Sequence, residues 1–185
     1  DALIQTTDML PIGETMGTIP DPIKKCLKEY GICSLNIFRR AKYTEGNQSF
    51  IPSEKFPPLS LNSVSTHDID TIYLWWKKQP EEARKYAAFK GFPYTKTLTK
   101  NQQLDILKEM HRSPSLFNIN LLQEYLALTP HLTWDNPEDE RINYPGTMGL
   151  FNWTYRYKMR LEVLRADKTL NDYFKKILPK KRVNQ

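Results

Sequence analysis

The sequence predicts an α/β fold with parallel strands, helices and long loops, amounting to part of a closed barrel. Three observations predict it. Short apolar runs are followed repeatedly by a polar loop and then an amphipathic stretch, the order of strand–loop–helix units. Two charged motifs, Glu14 and His67-Asp68, fall where strands should end, and in α/β folds the loops after strand ends converge on the functional face. Only three or four strands can be counted, whereas a closed eight-stranded barrel usually takes about 250 residues; the chain has 185.

The elements follow in order. Met9-Leu10-Pro11-Ile12-Gly13 reads as a short strand that must accommodate a proline without a ladder donor. Asp21 reads as a helix N-cap with Pro22 at the first helical position, Ile23, Leu27 and Tyr30 share a face, and Gly31 closes the helix. Ser34 to Phe38 alternates apolar and polar residues as a strand does, and a long polar connection from Arg39 to Pro58 leads to a second strand-like run, Leu59 to Thr66. Helices are then expected over Ile69 to Lys78, from Pro80 to Lys90 with Gly91 as the stop, and after Thr99-x-x-Gln102, a capping box ahead of Leu104, Leu107 and Met110. Leu116 to Asn120 reads as a short strand feeding a helix from Leu121 to Leu128; a polar loop spans Thr129 to Gly149, and a last helix covers Thr169 to Leu178.

Composition narrows the function. Four Trp, ten Tyr and eight Phe supply enough apolar area for one core, so a single domain over 1–185 is expected and disorder is not. No apolar run approaches the ~20 residues needed to cross a bilayer. Cys26 and Cys33 have no His or Cys cluster around them, which excludes a disulfide scaffold and zinc spacing and favours a reducing, cytoplasmic setting. The net charge of +6 is spread along the chain apart from Lys175-Lys176 and Lys180-Lys181-Arg182, so it speaks for solubility rather than nucleic-acid binding. The chain begins at Asp1 without Met, a basic n-region or an apolar h-region, so no signal peptide is read there.

Taken singly, Glu14 is a loop carboxylate and Asp68 an ordinary helix N-cap at Thr66-His67-Asp68. As a pair of carboxylates on two strand ends they fit glycoside chemistry, in which one acid protonates the departing oxygen and others support positive charge on the sugar ring. Trp75-Trp76 reads as core packing or as one core residue beside one sugar platform; Trp153 reads as a buried anchor, and Tyr86 and Tyr94 as packing. Asn47-Gln48-Ser49 and Asn152-Trp153-Thr154 match the glycosylation sequon by chance.

Three blocks carry a family resemblance. Gly13-Glu14-x-x-Gly17-Thr18-Ile19-Pro20 is similar to the Gly-Glu-Asp-Leu-Gly-x-x-Pro motif of the 4-alpha-glucanotransferases, the amylomaltases or disproportionating enzymes. Ser65-Thr66-His67-Asp68-x-Asp70-Thr71 with Trp75-Trp76 resembles that family's Thr-His-Asp segment, and Arg141-x-Asn143-x-Pro145-Gly146-Thr147 with Asn152-Trp153 and Arg156 resembles its closing motif. The resemblance implies the C-terminal part of a (β/α)8 TIM-type barrel that passes α-1,4-linked glucan from a maltodextrin, starch or glycogen oligosaccharide to another sugar, with retention through a covalent glucosyl-enzyme. It implies Glu14 as general acid/base, Asp68 as the stabilising carboxylate, and His67 and Asn143 as sugar ligands. It calls for neither a metal nor an organic cofactor.

The family's nucleophile is an aspartate ahead of the Gly-Glu motif, and neither Asp1 nor Asp8 has the matching context. The expectation is a C-terminal portion of a longer enzyme, inactive alone. Two departures stand out: Thr15-Met16 replaces Asp-Leu after the acid/base, and Arg40 falls where an aromatic platform is expected. The alternatives are an α-glucan hydrolase using the same carboxylates and a non-catalytic glucan-binding fragment.

Overall fold

The computed structural model describes residues 2–15, 19–43 and 49–179. Met16, Gly17 and Thr18 of the first motif, Asn47-Gln48 of the first sequon, Asp1 and the basic run Lys180-Lys181-Arg182 lie outside the described residues. The chain forms two compact units, Asp1–Ser63 with Arg112–Ile119, and Val64–His111 with Asn120–Gln185. Among the described residues no helix is long and apolar enough to cross a membrane.

The first unit holds α1 (Ala2–Gln5), α2 (Asp21–Glu29), a 3-10 turn at Ser53–Lys55, and a sheet of β1 (Ile12–Gly13), β2 (Cys33–Ile37), β3 (Ser60–Ser63) and β4 (Phe117–Asn118). The strands lie in the order β1-β2-β3-β4, each pair parallel. Three of the predicted strands are shorter than read, because only residues that face a neighbour form a ladder, while β2 keeps its length and begins one residue earlier. Pro11 sits just before β1 and joins through its carbonyl, which accepts from Cys33 N at 2.9 Å, so its missing N–H is not needed there.

The period of two puts Cys33, Leu35 and Ile37 on one face of β2 and Ser34 and Asn36 on the other. Register then carries the polar face across the sheet, pairing Ser34 with Ser60, Asn36 with Asn62 and Asn62 with Asn118. Ser60 and Asn62 are completely buried, so their polar atoms must find partners. Ser60 Oγ donates to the Pro57 carbonyl at 2.5 Å and lies 2.8 Å from Ser115 Oγ, whose hydroxyl can donate back to it. Asn118 Nδ2 donates to Asn62 Oδ1, and Asn62 Nδ2 donates to Ser113 Oγ.

Two expectations for α2 need correction. Pro20 is the N-cap residue, and Asp21 is the first helical residue, its carboxylate 2.9 Å from Lys24 Nζ. The face of Ile23, Leu27 and Tyr30 is not buried: Ile23 and Tyr30 are nearly half exposed. The stop is as read, with Gly31 at φ +64° and Ile32 N returning to the Leu27 carbonyl at 2.8 Å.

The second unit contains α3 (Ile72–Lys78), α4 (Pro80–Lys90), α5 (Lys100–Arg112), α6 (Leu122–Leu126), α7 (Leu161–Ala166) and α8 (Lys168–Ile177), with 3-10 turns at Pro130–Leu132 and Pro137–Glu140. Ile72, Leu74, Trp76, Ile106, Leu107 and Leu126 form its core. Trp75 and Trp76 are both buried, Trp76 donating its indole N–H to the Thr95 carbonyl at 2.9 Å and stacking on Tyr94; both are core, and neither is a platform. The capping box closes as read, Thr99 N donating to Gln102 Oε1 at 2.9 Å and Gln102 N to Thr99 Oγ1 at 3.3 Å.

His111 lies against Tyr125, whose hydroxyl is 2.8 Å from His111 Nε2 and accepts from Asn120 Nδ2 at 2.8 Å. Burial pushes the imidazole pKa below its ordinary 6.5, so the unfolded chain takes up this proton more readily than the folded one. The contribution of neutral His111 is therefore complete above pH 6.5 and is lost as pH falls from there through the lower pKa of the folded state. Urea denaturation across this range should show stability falling on acidification, and His111→Gln should flatten that part of the profile. In the sheet, Asn62→Leu should lower stability by about 2–3 kcal/mol, because it strands the Ser113 and Asn118 polar groups; the urea midpoint measures it.

Candidate active site

Glu14 follows β1 directly and its side chain is exposed. What holds this strand end is Thr15. Its hydroxyl donates to the Leu35 carbonyl at 2.7 Å and accepts from Leu35 N at 2.9 Å, continuing the β1–β2 pairing with a side chain in place of backbone. A carboxylate, the family's usual residue here, has no proton to donate. From the sequence alone Thr15 is only a missing acid, because a reciprocal bond to a residue 20 positions away leaves no local signal.

His67 and Asp68 lie on the loop between Val64 and α3, in the second unit. That loop is braced along its length. Val64 N donates to Asn120 Oδ1 at 2.7 Å, Ser65 Oγ donates to Glu124 Oε1, and Ile72 N reaches both oxygens of Glu124 at 3.1 and 3.3 Å. Glu124 is completely buried, and a carboxylate so placed keeps its hydrogen bonds because losing them inside protein is costly. Asp68 is not the helix N-cap that its sequence position suggested: α3 begins at Ile72, and Thr71 caps it by accepting from Leu74 N. The Asp68 carboxylate is thus not spent on a helix end.

It meets Asn143 instead. Asn143 Nδ2 donates to Asp68 Oδ1 at 2.7 Å, Asn143 N donates to the His67 carbonyl at 3.1 Å, and His67 Nε2 is 3.4 Å from Asp68 Oδ1. The three residues assigned here from sequence therefore converge. His67 and Asp68 keep 49% and 26% of their side-chain surface open, which leaves room for a ligand to reach polar atoms already held in place.

Arg141, in the sequence only one member of the closing motif, fastens this group. Its side chain is 8% exposed, and Nη1 pairs with Asp70 Oδ1 at 2.6 Å. Nη2 donates to the Asn143 carbonyl at 2.6 Å and more weakly to the Asp68 carbonyl at 3.4 Å. One planar cation thereby ties the Asp68 loop to the Asn143 segment, using the fixed fork that Lys lacks. The guanidinium also lies over the Tyr144 ring at 4.4 Å. Beside it, Lys78 Nζ is 2.7 Å from Glu138 Oε1, and Tyr144 donates its hydroxyl to Glu138 Oε2 at 3.1 Å. Burial pushes the Glu138 carboxyl up, but these two hydrogen bonds and the Lys78 and Arg141 charges outweigh it and hold it below its ordinary value.

Trp153 overturns its reading as a buried anchor. It is 62% exposed, its ring centroid lies 4.9 Å from that of His67, and its backbone is left-handed at φ 65°. The neighbouring Asn152 is tied inward, accepting from Tyr144 N at 3.0 Å and donating to Thr147. Among the described residues no group of three His, Cys, Asp or Glu could hold a metal ion.

The family model described as 4-alpha-glucanotransferase, glycoside hydrolase family 77, matches residues 2–162. The chain belongs to this family. Relatives include the 4-alpha-glucanotransferases of Chlamydia muridarum, 46% identical over 91% of this chain and 32% of its own length, and of Chlamydia pneumoniae, 46% identical over 95% and 34%. A rice (Oryza sativa subsp. japonica) 4-alpha-glucanotransferase is 29% identical over 95% of the chain and 19% of its own length. The chain spans about a third of the length of the chlamydial family members it matches. Among solved structures, an amylomaltase from Streptococcus agalactiae in complex with acarbose aligns with TM-score 0.68 and 23% identity over 94% of this chain and 32% of its own. One from Corynebacterium glutamicum gives 0.60 and 19% over 91% and 29%. The predicted class stands: parallel strands with helices, a portion of the amylomaltase fold.

Arg141→Met should cost about 3 kcal/mol in urea denaturation, since it leaves Asp70 without its close partner in a largely buried place. Arg141→Lys should recover less than half, because one ammonium cannot reach Asp70 and two carbonyls together.

Proposed function

We propose that this chain carries part of the site of a retaining 4-alpha-glucanotransferase acting on maltodextrins and on starch or glycogen oligosaccharides. The observation that carries the reading is the 2.7 Å bond from Asn143 Nδ2 to Asp68 Oδ1, with His67 alongside. Three residues to which the family resemblance gives sugar-contacting roles come from two separate stretches of chain and meet. The amylomaltase neighbour's complex with acarbose supports an oligosaccharide ligand.

In this reading Glu14 gives its proton to the departing 4-oxygen as the glucosyl C1 passes to a carboxylate nucleophile outside these residues. Glu14 then takes the proton of the acceptor's 4-hydroxyl as that oxygen attacks C1 and frees the nucleophile. Asp68 favours the positively charged ring of the transition state; His67 and Asn143 hold its hydroxyls and keep Asp68 oriented. Residues 1–185 alone bind glucan without turning it over, because retention needs a nucleophile besides these two acids. The free thiols of Cys26 and Cys33 support a cytoplasmic setting.

The test is product analysis with maltotriose and the full-length gene product. Glucose plus longer maltodextrins are expected, with Glu14→Gln and Asp68→Asn each slowing transfer ~10²-fold or more. Glucose and maltose alone would identify a hydrolase. No sugar turnover, or full activity in both variants, would refute the reading.

A further inference from the structure

We propose that Trp153 is a sugar-stacking platform: a glucosyl ring of the α-glucan lies on its open indole face while its hydroxyls reach the His67, Asp68 and Asn143 group. The proposal rests on the reading of the site given above and adds a residue to it. Four observations lead to Trp153.

The first is position. Trp153 N donates to the carbonyl of Ile142, the residue before Asn143, at 2.9 Å, and its ring meets that of His67 at 4.9 Å with a 45° tilt. Trp153 is thereby tied to the polar group twice, through its backbone N–H and through its ring. The second is strain. Trp153 is the one non-glycine at positive φ among the described residues, a region that L-residues with bulky side chains avoid. Such a conformation persists only when its surroundings over-determine it, and such strain collects at ligand sites. Here the surroundings are Asn152, locked by three hydrogen bonds to Tyr144 and Thr147, and the Ile142 carbonyl.

The third is exposure. At 62% exposed, the largest apolar side chain available contributes little to folding, so stability does not account for a Trp where glycine would sit without strain. Phe151 nearby is also open, but its ring leans edge-on against Tyr144 and its backbone is unstrained. The fourth is chemistry. A neutral glucan offers no charge to recognise; it has C–H faces that pack on flat aromatic rings and edge hydroxyls that need fixed polar partners. Trp153 and the His67–Asp68–Asn143 group supply both within one small area.

The test uses the full-length gene product in the Glu14→Gln background, so that sugar is bound and not consumed, with calorimetric titration of maltoheptaose. Trp153→Gly should raise Kd about tenfold, the weight of one aromatic stacking contact, while its melting temperature stays equal or rises as the strain is released. Trp153→Phe should bind better than Trp153→Leu, since a planar ring keeps the stack. If the Glu14→Gln protein binds no maltoheptaose, the reading of the site fails and the platform with it. If that protein binds and Trp153→Gly binds equally well, the platform alone is overturned. If Trp153→Gly melts lower or fails to fold, the comparison of Phe with Leu decides. Equal affinity then identifies the indole as a packing anchor and overturns the proposal, and tighter binding by Phe upholds it.

Discussion

The Arg141 guanidinium is the interaction on which the second unit's polar site depends. It lies largely buried, and its charge is answered by Asp70 while Nη2 reaches the carbonyls of Asp68 and Asn143; Nε alone is buried without a hydrogen-bond partner. A buried cation is worth keeping only when its geometry is good and its hydrogens are used. Here the geometry joins two stretches of chain about 70 residues apart, and it fixes the backbone beneath both side chains that meet at the site. Glu124 does the matching work on the other flank, where a buried carboxylate gathers Ser65 and the first N–H of α3. The His67–Asp68 loop is thus held at both ends by buried side chains, Arg141 on one flank and Glu124 on the other.

The first unit obeys the same rule with neutral groups. Its sheet turns serines and asparagines inward along one face, and Ser60 and Asn62 are wholly buried. The row Asn36–Asn62–Asn118 is set by parallel register, which places like positions of successive strands side by side. Such a face gains little from the hydrophobic effect and is held by the donors and acceptors matched at Ser60, Asn62 and Asn118, although Asn36 Nδ2 is buried without a hydrogen-bond partner. Thr15 extends the idea to the strand end: one hydroxyl, both donor and acceptor, closes the row beside Glu14.

Where the sequence misled, the cause was a local signal with two meanings. Asp21 before Pro22 has the chemistry of an N-cap, yet Pro20 takes that place and Asp21 pairs with Lys24 one turn on. Asp68 has the same ambiguity, and Thr71 resolved it by capping α3. Trp153 reads as an anchor because large aromatics are mostly buried. Its exposure follows from a left-handed backbone that no composition rule anticipates.

The sequence by itself determined whatever is decided within a few residues. It set the α/β order, the stop of α4 at Gly91 and the capping box of α5. It also carried the residue types of the proposed site, because Glu14, His67, Asp68 and Asn143 sit in motifs that survive as strings. Only the tertiary structure decided partners. Thr15 with Leu35, Ser65 with Glu124, Arg141 with Asp70 and Asn143 with Asp68 are separated by 20 to 75 positions. The physical reason is range: propensity and capping act within a turn or two of backbone, whereas a buried charge or amide takes its partner from whatever the folded path brings within hydrogen-bonding distance.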